Sequence, residues 1–107
     1  MTRRIPDFVT LVEAVLDNYG LEWNGIHGIG HWGRVVENGW ALSQETGCDR
    51  DVITLFAVFH DSRRFNDGHD PEHGLRGARL AKSLRGKLFE IDDAAFELLK
   101  FACIHHT

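Results

Sequence analysis

Seven histidines stand in a chain of 107 residues, and imidazole is the commonest metal-ligating side chain. Those at His31, His60, His73, His105 and His106 fall at the ends or on the inward faces of expected helices, and Asp61 follows His60 directly. The His60-Asp61 pair closes the most apolar segment of the chain, so both side chains emerge from the core into whatever cavity the other helices leave. An ionised Asp in such a place costs several kcal/mol unless a cation or several donors compensate it, and a divalent metal would do so. A lone pair of this kind equally describes a solvated His and an Asp capping the next loop; the four other His tip the balance toward a metal. Arg63 and Arg64 come next. A guanidinium there would hold a phosphate by a two-pronged contact, the alternative being a solvated basic turn. Arg76 and Arg79 are expected in surface salt bridges. His27 stands four residues before His31 but beside Gly28, which suits a cleft-lining residue better than a ligand. His69 lies in a polar loop. Trp23, Trp32 and Trp40 read as packing residues, with Trp32 beside the site.

Five helices must carry these residues. Pro6 and Asp7 open a segment in which Phe8, Val9, Leu11, Val12, Val15, Leu16 and Tyr19 recur every three or four residues as far as Gly20. The run from Ile29 to Gly47 has the same period, loosened early by Gly28 and Gly30. Asp49 or Asp51 can cap a third segment, Val52 to Phe59, apolar on nearly every side and so fully buried. A strand there would have no partner, which favours helix. Ser62 to Asp70 reads as a loop. Asp70 followed by Pro71 is a helix start, because Asp accepts from free first-turn amides and Pro has no N–H to leave unpaired. That fourth helix runs to Leu84 and is ended by Gly86; Asp92 or Asp93 caps a fifth that reaches Ile104.

Hydrophobic residues make up 43% and charged residues 26% of the chain, which predicts one domain, 1–107, with a single core. The net charge of −4 would repel a polyanion, which disfavours general nucleic-acid binding. Asp7, Glu13 and Asp17 interrupt the N-terminal apolar stretch, so neither a signal peptide nor a membrane span is expected. Cys48 and Cys103 make no CxxC pair; they suit a reducing cytosol and should pack as small apolar residues. A cytoplasmic protein is expected.

The ordered set His31, His60-Asp61, His73 and His105-His106, in the contexts HGIGHWGRV, LFAVFHDSRR, DPEHGLRGARLA and FACIHHT, resembles the HD-domain superfamily of metal-dependent phosphohydrolases over essentially the whole chain. The resemblance implies an all-α, compact bundle of about five helices, without the usual C-terminal helices of that family. It implies one metal held by His31, His60 and Asp61, with Asp61 bridging to a second held by His73 and His105. Residues adjacent in a helix point about 100° apart, so one of His105 and His106 faces inward, and His105 is preferred. Imidazole and carboxylate together suit Mn, Fe, Co, Ni or Zn, one or two ions per chain. Asp61 and Arg64 become the catalytic residues, and Arg63 and Arg64 the substrate-binding ones, Arg64 matching the basic position of the family. The implied reaction is cleavage of a phosphomonoester or phosphodiester, a nucleotide among the candidates, by a metal-activated water. The implied partner is a small phosphorylated substrate.

Two other readings follow from the same residues. Some HD-domain relatives use these ligands as di-iron oxygenases, and a fold of this type with an incomplete site can serve as a signalling or interaction module. The family's last Asp ligand has no counterpart after His105. A shortened chain, a ligand from another chain, or an ion with three protein ligands and an open position would each account for that. Apolar surface left uncovered by missing helices would favour a homodimer.

Overall fold

A computed structural model describes residues 4–17, 19, 25, 28–46, 49–66, 68 and 70–105, with the backbone alone for 29 and 42–46. The described residues form an all-helical bundle: α1 (Phe8–Asp17), α2 (Ile29–Thr46), α3 (Arg50–Phe59), α4 (His73–Leu84) and α5 (Asp93–His105). No helix among them is long and apolar enough to cross a membrane.

The start signals act as local chemistry requires. Asp7 accepts from the Thr10 N–H at 3.2 Å and the Thr10 hydroxyl at 2.7 Å, which opens α1. Asp49 caps α3 by accepting from the N–H groups of Asp51 and Val52. Arg4 ties Asp49 and Asp51 to the N-terminal segment, at 2.8 and 3.0 Å. Asp92 accepts from the Ala95 N–H at 2.8 Å and so caps α5. The fourth start differs from expectation. Helix α4 begins at His73, and the Asp70 carboxylate accepts from the Phe65 N–H and from Arg76 instead of capping. A nearby guanidinium outcompetes neutral amides for a carboxylate, since charge-assisted hydrogen bonds are the stronger kind.

Helix α3 is the central element and touches all four others. It buries Val52, Thr54, Leu55, Ala57, Val58 and Phe59, as its nearly uniform apolar sequence demands. Around it pack Leu11 and Val15 of α1, Trp32 of α2, Ala78 and Ala81 of α4, and Phe96, Leu99 and Cys103 of α5. Trp32 is buried and meets the Tyr19 ring edge-on at 5.7 Å. Trp40, expected in the core, is 40% exposed; its indole N–H donates to the Thr54 hydroxyl, and Arg50 lies over its ring. On the outer side of α5, Leu98, Phe101 and Ile104 are exposed at three-residue spacing. His27, His69, His106, Trp23 and Cys48 lie outside the described residues.

Two glycines decide how close α4 comes to its neighbours. A Cβ at Gly74 would overlap the carbonyl oxygen of Cys103 in α5, and one at Gly77 would overlap the carbonyl oxygen of Phe59 at the end of α3. Only hydrogen at those positions lets the first turn of α4 lie against both backbones. That contact brings His73 to the turn that follows α3.

Candidate metal centre

The site begins where α3 ends. His60 is the C-cap residue of that helix, and its Nδ1 lies 2.9 Å from the Phe56 carbonyl oxygen and 3.1 Å from that of Ala57. A carbonyl only accepts, so Nδ1 carries a proton, and in that tautomer Nε2 is the atom with a lone pair to present. Phe56 stacks on the same ring, with centroids 4.7 Å apart. Orientation and tautomer are therefore both set by α3.

Three ligand atoms converge in front of that lone pair. His60 Nε2 is 3.1 Å from His31 Nε2 and 3.2 Å from Asp61 Oδ2, and His31 Nε2 is 3.1 Å from Asp61 Oδ2. The triangle is nearly equilateral. With metal–ligand distances of about 2.1 Å, the edge between cis ligands is about 3.0 Å in an octahedron and about 3.4 Å in a tetrahedron. The observed edges fall between the two, so the three groups fit one face of either polyhedron. Among the described residues this is the group of His, Cys, Asp and Glu side chains able to hold an ion. His60 and Asp61 are buried, whereas the His31 side chain is 30% exposed and marks the side open to solvent.

The other carboxylate oxygen faces a guanidinium. Arg64 Nε donates to Asp61 Oδ1 at 2.8 Å, and its terminal nitrogens reach the Gly68 carbonyl at 3.2 Å and His73 Nε2 at 3.4 Å. His73 Nδ1 makes a short hydrogen bond to the Asp70 carbonyl, so its Nε2, like that of His60, is the acceptor. His73 Nε2 and Asp61 Oδ1, 3.4 Å apart, thus share the Arg64 guanidinium. The expected second ion would need those two atoms plus His105. His105 is exposed at the end of α5 with its ring against Phe101, centroids 4.5 Å apart, and no second group able to hold an ion forms among the described residues.

The expected residues are therefore divided. His31, His60 and Asp61 meet; His73 meets Asp61 through Arg64; His105 stays on the surface. Arg64 is only 9% exposed and is engaged with Asp61, an orientation that holds the carboxylate and is not open to a phosphate. Arg63 turns elsewhere, into a concavity with Arg76 and Arg79. Arg76 does form a salt bridge, as expected, to Asp70. Arg79 has no ion pair among the described residues.

One neighbour, Asp70, escaped sequence reasoning as a support of the site. Asp70 supports the site twice, through its carbonyl to His73 and its carboxylate to Arg76. Burial would raise its carboxyl, but hydrogen bonds from Arg76 and the Phe65 N–H, with the charge of Arg76, hold it below the usual carboxylate range. Its i, i+3 spacing to His73 was the available signal. Cys103 is fully buried; that burial, aided by the Asp61 charge, pushes the thiol up to about 12. It is a neutral packing group, as its sequence reading anticipated.

A hollow of about 550 Å³ lies between α1, α2 and α3 and is lined by Phe8, Val12, Trp32, Val36 and Val58 among others. It contains none of the three ligand residues. In comparisons with protein-family models, with curated proteins and with solved structures, nothing matches the chain.

Proposed function

We propose that this chain is a metal-dependent phosphohydrolase of HD-domain type, with one divalent transition-metal ion held by His31, His60 and Asp61. The observation that carries the reading is the convergence of the His60 lone pair and Asp61 Oδ2 on one point with His31 Nε2, at edges of 3.1–3.2 Å. Two acceptors aimed at each other in a buried place need a cation or a shared proton between them. The order and local contexts of the His and Asp residues support the same assignment.

A bound ion supplies Lewis-acid polarisation of a phosphoryl oxygen and lowers the pKa of a water. The chain's own residues do the positioning. Phe56 and Ala57 carbonyls hold His60, and Arg64 holds Asp61 so that Oδ2 faces the imidazoles of His31 and His60. The partly exposed His31 side marks where a phosphomonoester or phosphodiester enters. Arg64 acts here through Asp61, and water protonates the leaving group.

The test begins with elemental analysis of protein purified without chelator or metal-binding tag, then reconstituted with Mn, Co, Fe, Ni or Zn. We expect about one ion per chain, released when His60→Ala removes a ligand. At free metal of about 100 times Kd the ion adds about 2.7 kcal/mol, a rise in Tm of roughly 10 °C or more. Phosphomonoester and nucleotide substrates should then be cleaved by the wild type and not by His60→Ala. No retained metal after reconstitution, or equal turnover in both proteins, would overturn the proposal.

One observation favours a second reading. Two imidazoles and one carboxylate on a single face are also the ligand set of non-haem iron oxygenases. Oxygen uptake by the Fe(II) form, coupled to loss of an organic substrate, would select that chemistry over hydrolysis.

A further inference from the structure

A concavity of about 360 Å³ is walled by Arg63, Arg76, Arg79, Leu80 and Ser83, and none of these belongs to the metal-binding triangle. Three guanidinium groups around one hollow are unexpected in a protein of net charge −4. Clustered like charges repel, and such a cluster is stabilised when an anion occupies it.

The three arginines are not equivalent. Arg76 is held rigidly: its Nε donates to the Arg63 carbonyl at 2.9 Å, one terminal nitrogen contacts both Asp70 oxygens at 2.5 and 2.6 Å, and its guanidinium lies 3.7 Å from the Phe65 ring centroid. The charge of Arg76 is thereby balanced by Asp70. Arg63 and Arg79 have no hydrogen-bond or ion-pair partner for their guanidinium groups among the described residues. Two uncompensated positive charges thus flank a third, pre-oriented guanidinium. Planar guanidinium forks match phosphate oxygens bidentately, and ordering Arg76 beforehand reduces the entropy lost on binding. The volume lies at the small end of the range for ligand pockets, which suits a compact anion more than an extended chain.

We propose that this hollow is a binding site for a phosphate group, with Arg63 and Arg79 contacting its oxygens and Arg76 as the fixed wall. The site does not depend on the reading of the metal centre. It does share a support with it, because Asp70 holds Arg76 by its carboxylate and His73 by its carbonyl.

The test uses metal-free wild-type protein, so it is independent of metal binding and turnover. Inorganic phosphate, phenyl phosphate and pyrophosphate are titrated at constant ionic strength while the arginine Nε–H signals are followed by NMR. We expect saturable shifts at Arg63, Arg76 and Arg79, kept in His60→Ala and weakened at least tenfold in Arg63→Gln/Arg79→Gln. Neither substituted guanidinium has a partner among the described residues, and the Arg63 carbonyl that accepts from Arg76 is kept, so the double variant should fold with unchanged Tm. Saturation by inorganic phosphate assigns the site to the free anion; saturation by phenyl phosphate alone assigns it to an ester, and either supports the proposal. Shifts that chloride reproduces equally, shifts that survive in the double variant, or binding seen only with an oligonucleotide would overturn it.

Discussion

Asp61 and Arg64 offer the sharpest test of how the centre is built. Their contact is 2.8 Å, with side chains 3% and 9% exposed. Breaking a buried ion pair by removing one partner costs about 3–5 kcal/mol, because an uncompensated charge stays behind. In Asp61→Asn the amide oxygen still accepts, and Arg64 keeps the Gly68 carbonyl, which puts the loss at the lower end, about 3 kcal/mol. That corresponds to a fall in Tm of roughly 12 °C or more for a domain of this size. Arg64→Met should cost a similar amount, since it leaves the buried Asp61 without the guanidinium paired to its Oδ1. Replacing both leaves no orphaned charge, so the double variant should recover roughly 2 kcal/mol or more relative to additivity, well above the ordinary error of about 0.5 kcal/mol. The assay is urea denaturation in the presence of chelator, with unchanged m-values as the check that only native-state stability has moved. Two single variants within about 0.5 kcal/mol of wild type, or strictly additive losses, would show that the pair does not hold the carboxylate.

Other predictions concern packing and pH. Gly77→Ala places a methyl against the Phe59 carbonyl and should cost about 1–3 kcal/mol or more by forcing α4 off α3. Gly33→Ala, whose methyl would meet open space, should instead stabilise by about 0.5–1 kcal/mol; comparison of their urea midpoints checks both. The Asp49 carboxyl is desolvated, yet hydrogen bonds from Arg4 and from the Val52 and Asp51 N–H groups hold it below its ordinary value. Its stabilising contribution is therefore complete above its unfolded pKa near 3.8 and is lost as pH falls through the folded value. Asp49→Asn should flatten that part of an acid-unfolding curve. Cys103 has the opposite sense. Its thiol is raised from 9.0 to about 12, so its contribution is complete below pH 9 and declines as pH rises from 9 toward 12. Cys103→Ala should remove that slope, and native protein should resist thiol alkylation at neutral pH.

The helices were legible because their apolar residues recur at helical spacing and their caps are local. Leu11, Val15 and Leu16 on α1, and the uniformly apolar α3, needed nothing beyond their own segments. His60-Asp61 was legible for a related reason, since the end of the most buried helix must open onto something. Placement of His105 was not. Phe96, Leu98, Leu99, Phe101, Ala102 and Ile104 surround α5, leaving no single apolar face to fix its rotation. The role of Arg64 also lay beyond reach. An arginine three residues after an aspartate can pair with it or face outward, and burial decides between them. Asp70 looked like a cap for the same local reason that made the other caps correct; an arginine six residues later drew its carboxylate away.

The pairing of Asp61 with Arg64, which under the proposed reading leaves the other oxygen for an ion, bears on how the protein is supplied and turned over. Arg64 is part of the polypeptide and takes its place as the chain folds, so one oxygen of the buried carboxylate is neutralised from the moment of synthesis. Domains whose only counter-charge is the ion itself stay unfolded without it. Here a shortage of metal would leave a folded, empty pool that escapes degradation and can be loaded later, and the level of protein in a cell would track its synthesis more closely than the metal supply.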